Sequence, residues 1–215
     1  MPVKLCILVL LAGASATAPA QWVRLFNGKN LDGWEVIGDG VWSAMKNEVL
    51  LGDRVQGKSL HQAWLYTKKQ YGEYDLSLEY WTRLGGNSGI SIRDHTRARY
   101  AVGSAHDTLR TPSRNGYEIQ ISNGYKDKYP SGSIYLFAAA KVDAQIANDW
   151  NLLEVESRED LIRVRLNGQV VAEHPGDPAR PKTGPIGLQL HDPNSVVMFR
   201  NIRIREIHTS GGSRR

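Results

Sequence analysis

Residues 86–93, Gly-Asn-Ser-Gly-Ile-Ser-Ile-Arg, and residues 116–121, Gly-Tyr-Glu-Ile-Gln-Ile, alternate aliphatic with polar positions. That is the period of a β-strand that buries one face. The same period, bounded by turn residues, predicts strands over 22–26, 41–44, 49–51, 63–67, 74–82, 88–93, 117–122, 133–137, 152–156, 161–166, 169–173, 187–191 and 196–205. Lys46-Asn47 and Asn167-Gly168 fall between apolar runs as hairpin turns, because Asn and Gly accept positive φ. Residues 138–147 carry a weak helical pattern, expected to be a loop with one turn. Short strands with turn signals and no amphipathic helix predict an all-β sandwich or jelly roll of two antiparallel sheets.

Strand parity then separates a core face from an outer one. With Ile90, Ile92, Ile119 and Ile121 inward, Ser91, Arg93, Glu118 and Gln120 face outward. With Ile134 and Leu136 inward, Ser133, Tyr135 and Phe137 emerge; with Ile186, Leu188 and Leu190 inward, Gln189 and His191 do. A hydroxyl, a guanidinium, a carboxylate and amides together suit a polyhydroxylated ligand. Asn87, Ser91, Gln120 and Gln189 offer hydrogen bonds to sugar hydroxyls, and Tyr135, Phe137 or Tyr100 a platform for C–H faces. The plainer alternative is a solvated sheet face.

Residues 1–20 read as a secretory signal, with Lys4 before an apolar run over 5–12 and Ala18-Pro19-Ala20 as the cleavage site. The run is too short to span a bilayer, and no other segment is apolar enough to hold the mature chain in a membrane. The expectation is therefore a periplasmic or secreted single domain over 21–208 with a disordered tail at 209–215. Cleavage removes Cys6, the single cysteine, and leaves the core to stabilise the fold without disulfides. It also removes one lysine, taking the net charge from +5 to +4. The basic residues are scattered, apart from Arg97, Arg99, Arg110 and Arg114 in one loop and the terminal Arg214-Arg215, and form no stripe for nucleic acid.

That loop, 94–116, and a second at 123–132 flank the polar strands and are expected to form the rim of a site. Other chemistries find less support. The histidines lack the close spacing of a compact zinc site, and no Gly-x-Ser-x-Gly elbow is present. Asp94 with His95, or His106 with Asp107, leaves a divalent metal open. A two-carboxylate glycosidase would need Asp94 or Asp192 opposite Glu118, and neither has parity in its favour.

Eight motifs occur in order: Leu25 to Trp34 (LFNGKNLDGW), the 86–93 and 116–121 runs, Ser131-Gly132-Ser133-Ile134-Tyr135, Trp150-Asn151, Leu166-Asn167-Gly168, Gly187-Leu188-Gln189-Leu190-His191 and Phe199-Arg200-Asn201-Ile202. Together the chain resembles the bacterial 3-keto-disaccharide hydrolase family, also described as 3-keto-glucoside lyase and 3-keto-2-hydroxy-glucal hydratase domains. The resemblance implies a concanavalin-like jelly roll. It also implies a reaction in which a separate sugar 3-dehydrogenase makes a C3 ketone, a base removes the acidified C2 hydrogen, and the C1 oxygen leaves. Water then adds to the glucal.

Joined to strand parity, the resemblance makes Glu118 or His191 the base or acid and Arg93 the enolate stabiliser. Gln120, Gln189 and Tyr135 would orient hydroxyls. The alternative for Arg93 and Glu118 is a cross-strand ion pair, and for His191 a strand cap. Two departures stand out: His191-Asp192-Pro193, where the family often has His-Gly, and the long arginine-rich loop after Asp94. A non-catalytic carbohydrate-binding module on the same sandwich is the second reading, and a structural domain the third.

Overall fold

The structure is a computed structural model that describes residues 20–54, 60–123 and 127–207, so the expected tail and all but the last residue of the expected signal lie outside the described residues. In the first half of the chain the strands are β1 (Val23–Arg24), β2 (Trp34–Ile37), β3 (Gly40–Ala44), β4 (Leu50–Arg54), β5 (Ala63–Thr67), β6 (Tyr74–Thr82) and β7 (Asn87–Ile92). A four-residue helix, α1 (Pro112–Asn115), precedes β8 (Tyr117–Ser122), β9 (Asn151–Arg158) and β10 (Leu161–Leu166). β11 (Gln169–His174), β12 (Ile186–Leu190) and β13 (Val196–Glu206) complete the set.

All pairings are antiparallel. One sheet runs β11-β10-β9-β6-β13-β4-β3 with β1 beside β13, and the other runs β2-β5-β12-β7-β8. Leu76, Leu78, Leu153, Val155, Val164 and Phe199 from the first face Leu65, Ile90, Ile92, Ile119, Ile186 and Leu188 from the second, all fully buried. This is the two-sheet sandwich that the alternation predicts. Buried positions in β13 step from Val197 and Phe199 to Ile202 and Ile204, a change of parity at a bulge where Asn201 takes φ 53°.

The turns follow their chemistry. Asn47 at φ 60° turns β3 into β4, and Asn167-Gly168, at φ 50° and 81°, closes the β10–β11 hairpin. Residues 138–147 form a loop with a turn, as expected, anchored by Gln145 and by the Asn167 amide on the Ala144 carbonyl.

Trp34–Ile37, where the alternation predicts no strand, pairs with β5 as an edge strand, and one expected strand is absent. Residues 133–137 are no strand: Ile134 bridges both Ile119 and Ala138, and the residues between make a tight turn.

β5, β7, β8 and β12 are buried on both faces, which differs from a solvated outer sheet. The long 94–116 loop supplies the cover. Trp64 and Tyr66 on the outer face of β5 pack against Ala98 and Ala101, with Ile37 and Val102 beside them, in a second small core. Among the described residues no helix is long and apolar enough to cross a membrane.

Candidate active site

The loop covers one half of the outer face and walls off the other. Its anchor is Asp94, fully buried: Oδ1 accepts from the Thr96 backbone and hydroxyl at 2.9 and 2.6 Å, and Oδ2 from Ala98 N at 2.8 Å and Tyr66 OH at 3.2 Å. Asp94 is thus a structural acceptor rather than a second acid or a metal ligand. Arg97 reaches back to the carbonyls of Thr67 and Lys68, which ties the loop across β5. Further along, α1 is held from below by Arg180, which donates to the carbonyls of Ser113 and Gly116.

Between this wall, the β7–β8 pair and the 133–138 turn lies a cleft of about 280 Å³. Glu118, Gln120, Asn87, Tyr135 and His191 line it, Glu118 and Gln120 on the outward parity of their strand. Tyr135 arrives there because its amide donates to the Glu118 carbonyl at 2.8 Å, which fixes the turn along the edge of β8. Gln120 Nε2 donates to Asn87 Oδ1 at 3.2 Å across the strand pair, so the two amides present a common polar wall.

Glu118 is the centre of the site. It is 5 % exposed, and Gln189 Nε2 donates to its Oε1 at 3.0 Å. Burial raises its carboxyl from 4.5 to about 7, opposed by the nearby His191 and by the Gln189 hydrogen bond. A group poised near neutrality both takes and returns a proton at physiological pH. Gly89 makes room for the pair, since a Cβ there would lie 3.0 Å from Glu118 Oε1 and 3.2 Å from Gln189 Oε1. At the rim, His191 Nδ1 pairs with Asp192 Oδ1 at 2.8 Å. That hydrogen bond holds the Asp192 carboxyl below its usual range and leaves Nε2 as the unpaired ring nitrogen.

Four expected site residues lie elsewhere. Arg93 follows the end of β7 at φ 62°, so strand parity no longer directs it. Its guanidinium is buried and donates to Ser157 Oγ at 2.8 Å and to the Arg158 carbonyl in the opposite sheet. It therefore bridges the two sheets and pairs neither with Glu118 nor with a ligand in the cleft. Tyr100 lies outside the cleft, with the Arg110 guanidinium 3.3 Å from its ring centroid. Ser91 is fully buried beside Tyr66, and Gln189 sits behind Glu118, where it positions the carboxyl instead of meeting a ligand. Leu136 and Phe137 also exchange places: Leu136, at φ 71°, lines the cleft, while Phe137 packs against the core.

The loop contributes what the alternation did not reveal. His106, Thr108, Thr111, Ser113 and Arg114 from the loop, with Gln62 ahead of β5, complete the lining, and Arg114 is its guanidinium. The ring of His106 stacks on His61 with centroids 4.0 Å apart. The arginine-rich composition of the loop was the available signal, but no period tells which arginine faces inward. Among the described residues no three His, Cys, Asp or Glu side chains gather to hold a metal ion.

A family model described as the 3-keto-alpha-glucoside-1,2-lyase-like domain matches residues 21–205. Among solved structures, a protein provisionally described as a glycosyl hydrolase from Parabacteroides distasonis is 28% identical, with TM-score 0.66 over 87% of this chain and 100% of that one. A Bacillus subtilis protein of unknown function with a galectin-like fold superposes with TM-score 0.63 at 13% identity, over 88% and 96% of the two chains. The carbohydrate-binding module CBM66 from Bacillus subtilis gives TM-score 0.56 at 15% identity, over 81% and 96%. At these identities the last two speak for the sandwich fold alone. No curated protein matches the chain.

Proposed function

The chain belongs to the 3-keto-alpha-glucoside-1,2-lyase-like domain family, and on that premise we propose that it cleaves 3-keto-glycosides by β-elimination and then hydrates the glucal. The observation that carries this reading is the buried Glu118 carboxyl, raised to about 7 and opening into a polar cleft beside His191. An ordinary carboxylate would be a weak base toward carbon, and burial makes this one stronger.

In the proposed cycle Glu118 takes the C2 hydrogen that the C3 ketone has acidified. The electron pair forms the enolate, which collapses to restore the ketone, makes the C1–C2 double bond and expels the C1 oxygen. His191 Nε2 gives that oxygen its proton, while Asp192 holds the ring through Nδ1. Water then adds at C1, losing a proton to His191, and Glu118 returns its proton to C2. The net change is hydrolysis of the glycosidic bond.

Arg114, the guanidinium lining the cleft, takes the charge-stabilising role that sequence parity gave to Arg93. Asn87, Gln120 and Tyr135 hold the sugar hydroxyls. The proposal includes export through residues 1–20 and supply of the ketone by a separate sugar 3-dehydrogenase. A divalent metal enters it only as something the test must address.

The test is release of a chromogenic leaving group from a 3-keto-glucoside and from the unoxidised glucoside, with and without chelator. Release from the keto form alone supports elimination, and loss with chelator adds a metal to it. Equal cleavage of both substrates contradicts it in favour of a conventional glycosidase. Binding without release contradicts it in favour of a carbohydrate-binding module.

A further inference from the structure

The cleft that holds Glu118 is not the whole groove. A second cleft of about 430 Å³ opens beside it, lined by Asn87, Gln120, Tyr135 and Leu136, which the two share, and by Asp127, Lys128 and Tyr129, which belong to it alone. Glu118 and His191 line only the first. Tyr129 and Tyr135 meet edge to face, with centroids 5.0 Å apart and planes at 62°, and form an aromatic corner. The Lys128 ammonium lies 5.2 Å from the Tyr129 ring centroid.

Leu136 stands on the threshold between the two clefts. A leucine at φ 71° costs on the order of 1–2 kcal/mol. Three residues, Tyr135 to Phe137, turn between the paired backbones of Ile134 and Ala138, and the turn places Tyr135 and Leu136 in both clefts.

We propose that this second cleft receives the leaving group, and that Tyr129 makes the protein select a hydroxylated ring there over an alkyl chain. The inference rests on the lyase reading. If C2 of the oxidised ring faces Glu118, that ring occupies the first cleft, and a substituent at C1 too large for it has the shared threshold as its way out. Beyond the threshold, the aromatic corner offers apolar faces to ring C–H or π surfaces. The Asn87 and Gln120 amides, Asp127 and Lys128 surround them with hydrogen-bonding groups for hydroxyls. An alkyl chain would satisfy the first feature and leave the second unused. A second sugar and a phenol both have this chemistry.

The experiment compares 3-keto-glucosides with methyl, hexyl, glucosyl and hydroxyphenyl leaving groups in the wild type and in Tyr129→Ala. Dividing each variant rate by the wild-type rate for the same substrate removes intrinsic leaving-group reactivity. The expected result is that the kcat/KM ratio of ring over methyl falls about tenfold in Tyr129→Ala, and that the ratio of hexyl over methyl, which loses an apolar face alone, falls by less. A larger fall for glucosyl identifies a sugar as the occupant, and a larger fall for hydroxyphenyl identifies a phenol. A ratio that stays within about twofold, or an equal loss on methyl, overturns the proposal.

Should the wild type turn over none of these substrates, the lyase reading fails separately. Calorimetry on the four unoxidised glucosides then decides the second cleft by the same ratio. Ring-selective affinity lost in Tyr129→Ala supports it, and affinity blind to the ring overturns it.

Discussion

Gln189 Nε2 donates to Glu118 Oε1 at 3.0 Å on the outer face of the five-stranded sheet, with Gln189 fully buried and Glu118 nearly so. One hydrogen bond does not offset the loss of water around a carboxylate, and burial prevails in raising the Glu118 carboxyl from 4.5 to about 7. The same burial that tunes the group makes it a liability to the fold.

Stability should therefore depend on pH through Glu118. Below pH 4.5 the carboxyl is protonated in the folded and the unfolded chain, and it costs nothing. Above about pH 7 it is ionised in both, and the folded protein carries the full cost of the buried charge, on the order of 3 kcal/mol. Glu118→Gln removes this loss. Denaturant unfolding should find the variant more stable than the wild type by about 2–3 kcal/mol near pH 8 and equal to it near pH 4.

Arg93 separates a bridging role from a catalytic one. Its buried guanidinium donates to Ser157 Oγ and to the Arg158 carbonyl across the sandwich. Arg93→Ala should lower unfolding free energy by about 2–4 kcal/mol, because it opens a void and strands the buried acceptors. Sugar affinity measured by titration on the folded fraction should change less than about twofold, since binding losses follow lost ligand contacts.

Asp94 is predicted to fasten the cleft wall. Four donors converge on its carboxylate, one of them the Tyr66 hydroxyl of the sheet that the loop covers. Asp94→Ala leaves those donors without an acceptor and should cost about 2–4 kcal/mol. Limited proteolysis should then cut first between residues 94 and 116, and ligand affinity should fall with the loss of the wall.

Much of the frame was legible in the alternation. The bounds 63–67, 74–82, 117–122 and 161–166 match β5, β6, β8 and β10 end to end, because those strands keep one face in the core throughout. Glu118 and Gln120 were legible for the same reason, whereas Tyr135 reaches the cleft through a turn in place of the expected strand.

Parity failed where the strand ended. Arg93 and Leu136 both take positive φ, which turns their side chains from the direction that alternation assigns. The cover over the outer face had its own signal: Ala63-Trp64-Leu65-Tyr66 is apolar on both parities, as a strand buried on both faces should be. Arg114 had only the arginine-rich composition of its loop, because α1 spans four residues and carries no period.

The central claim is that Glu118 exchanges a proton with C2 of a 3-keto sugar. The most direct measurement is incorporation of deuterium from solvent into C2 of a 3-keto-glucoside, followed by NMR at neutral pH. The account predicts exchange with the wild type and loss of at least about a hundredfold in Glu118→Gln, with exchange kept in His191→Asn, whose missing proton donor slows only departure of the leaving oxygen. Undiminished exchange in Glu118→Gln, or loss only in His191→Asn, would contradict it.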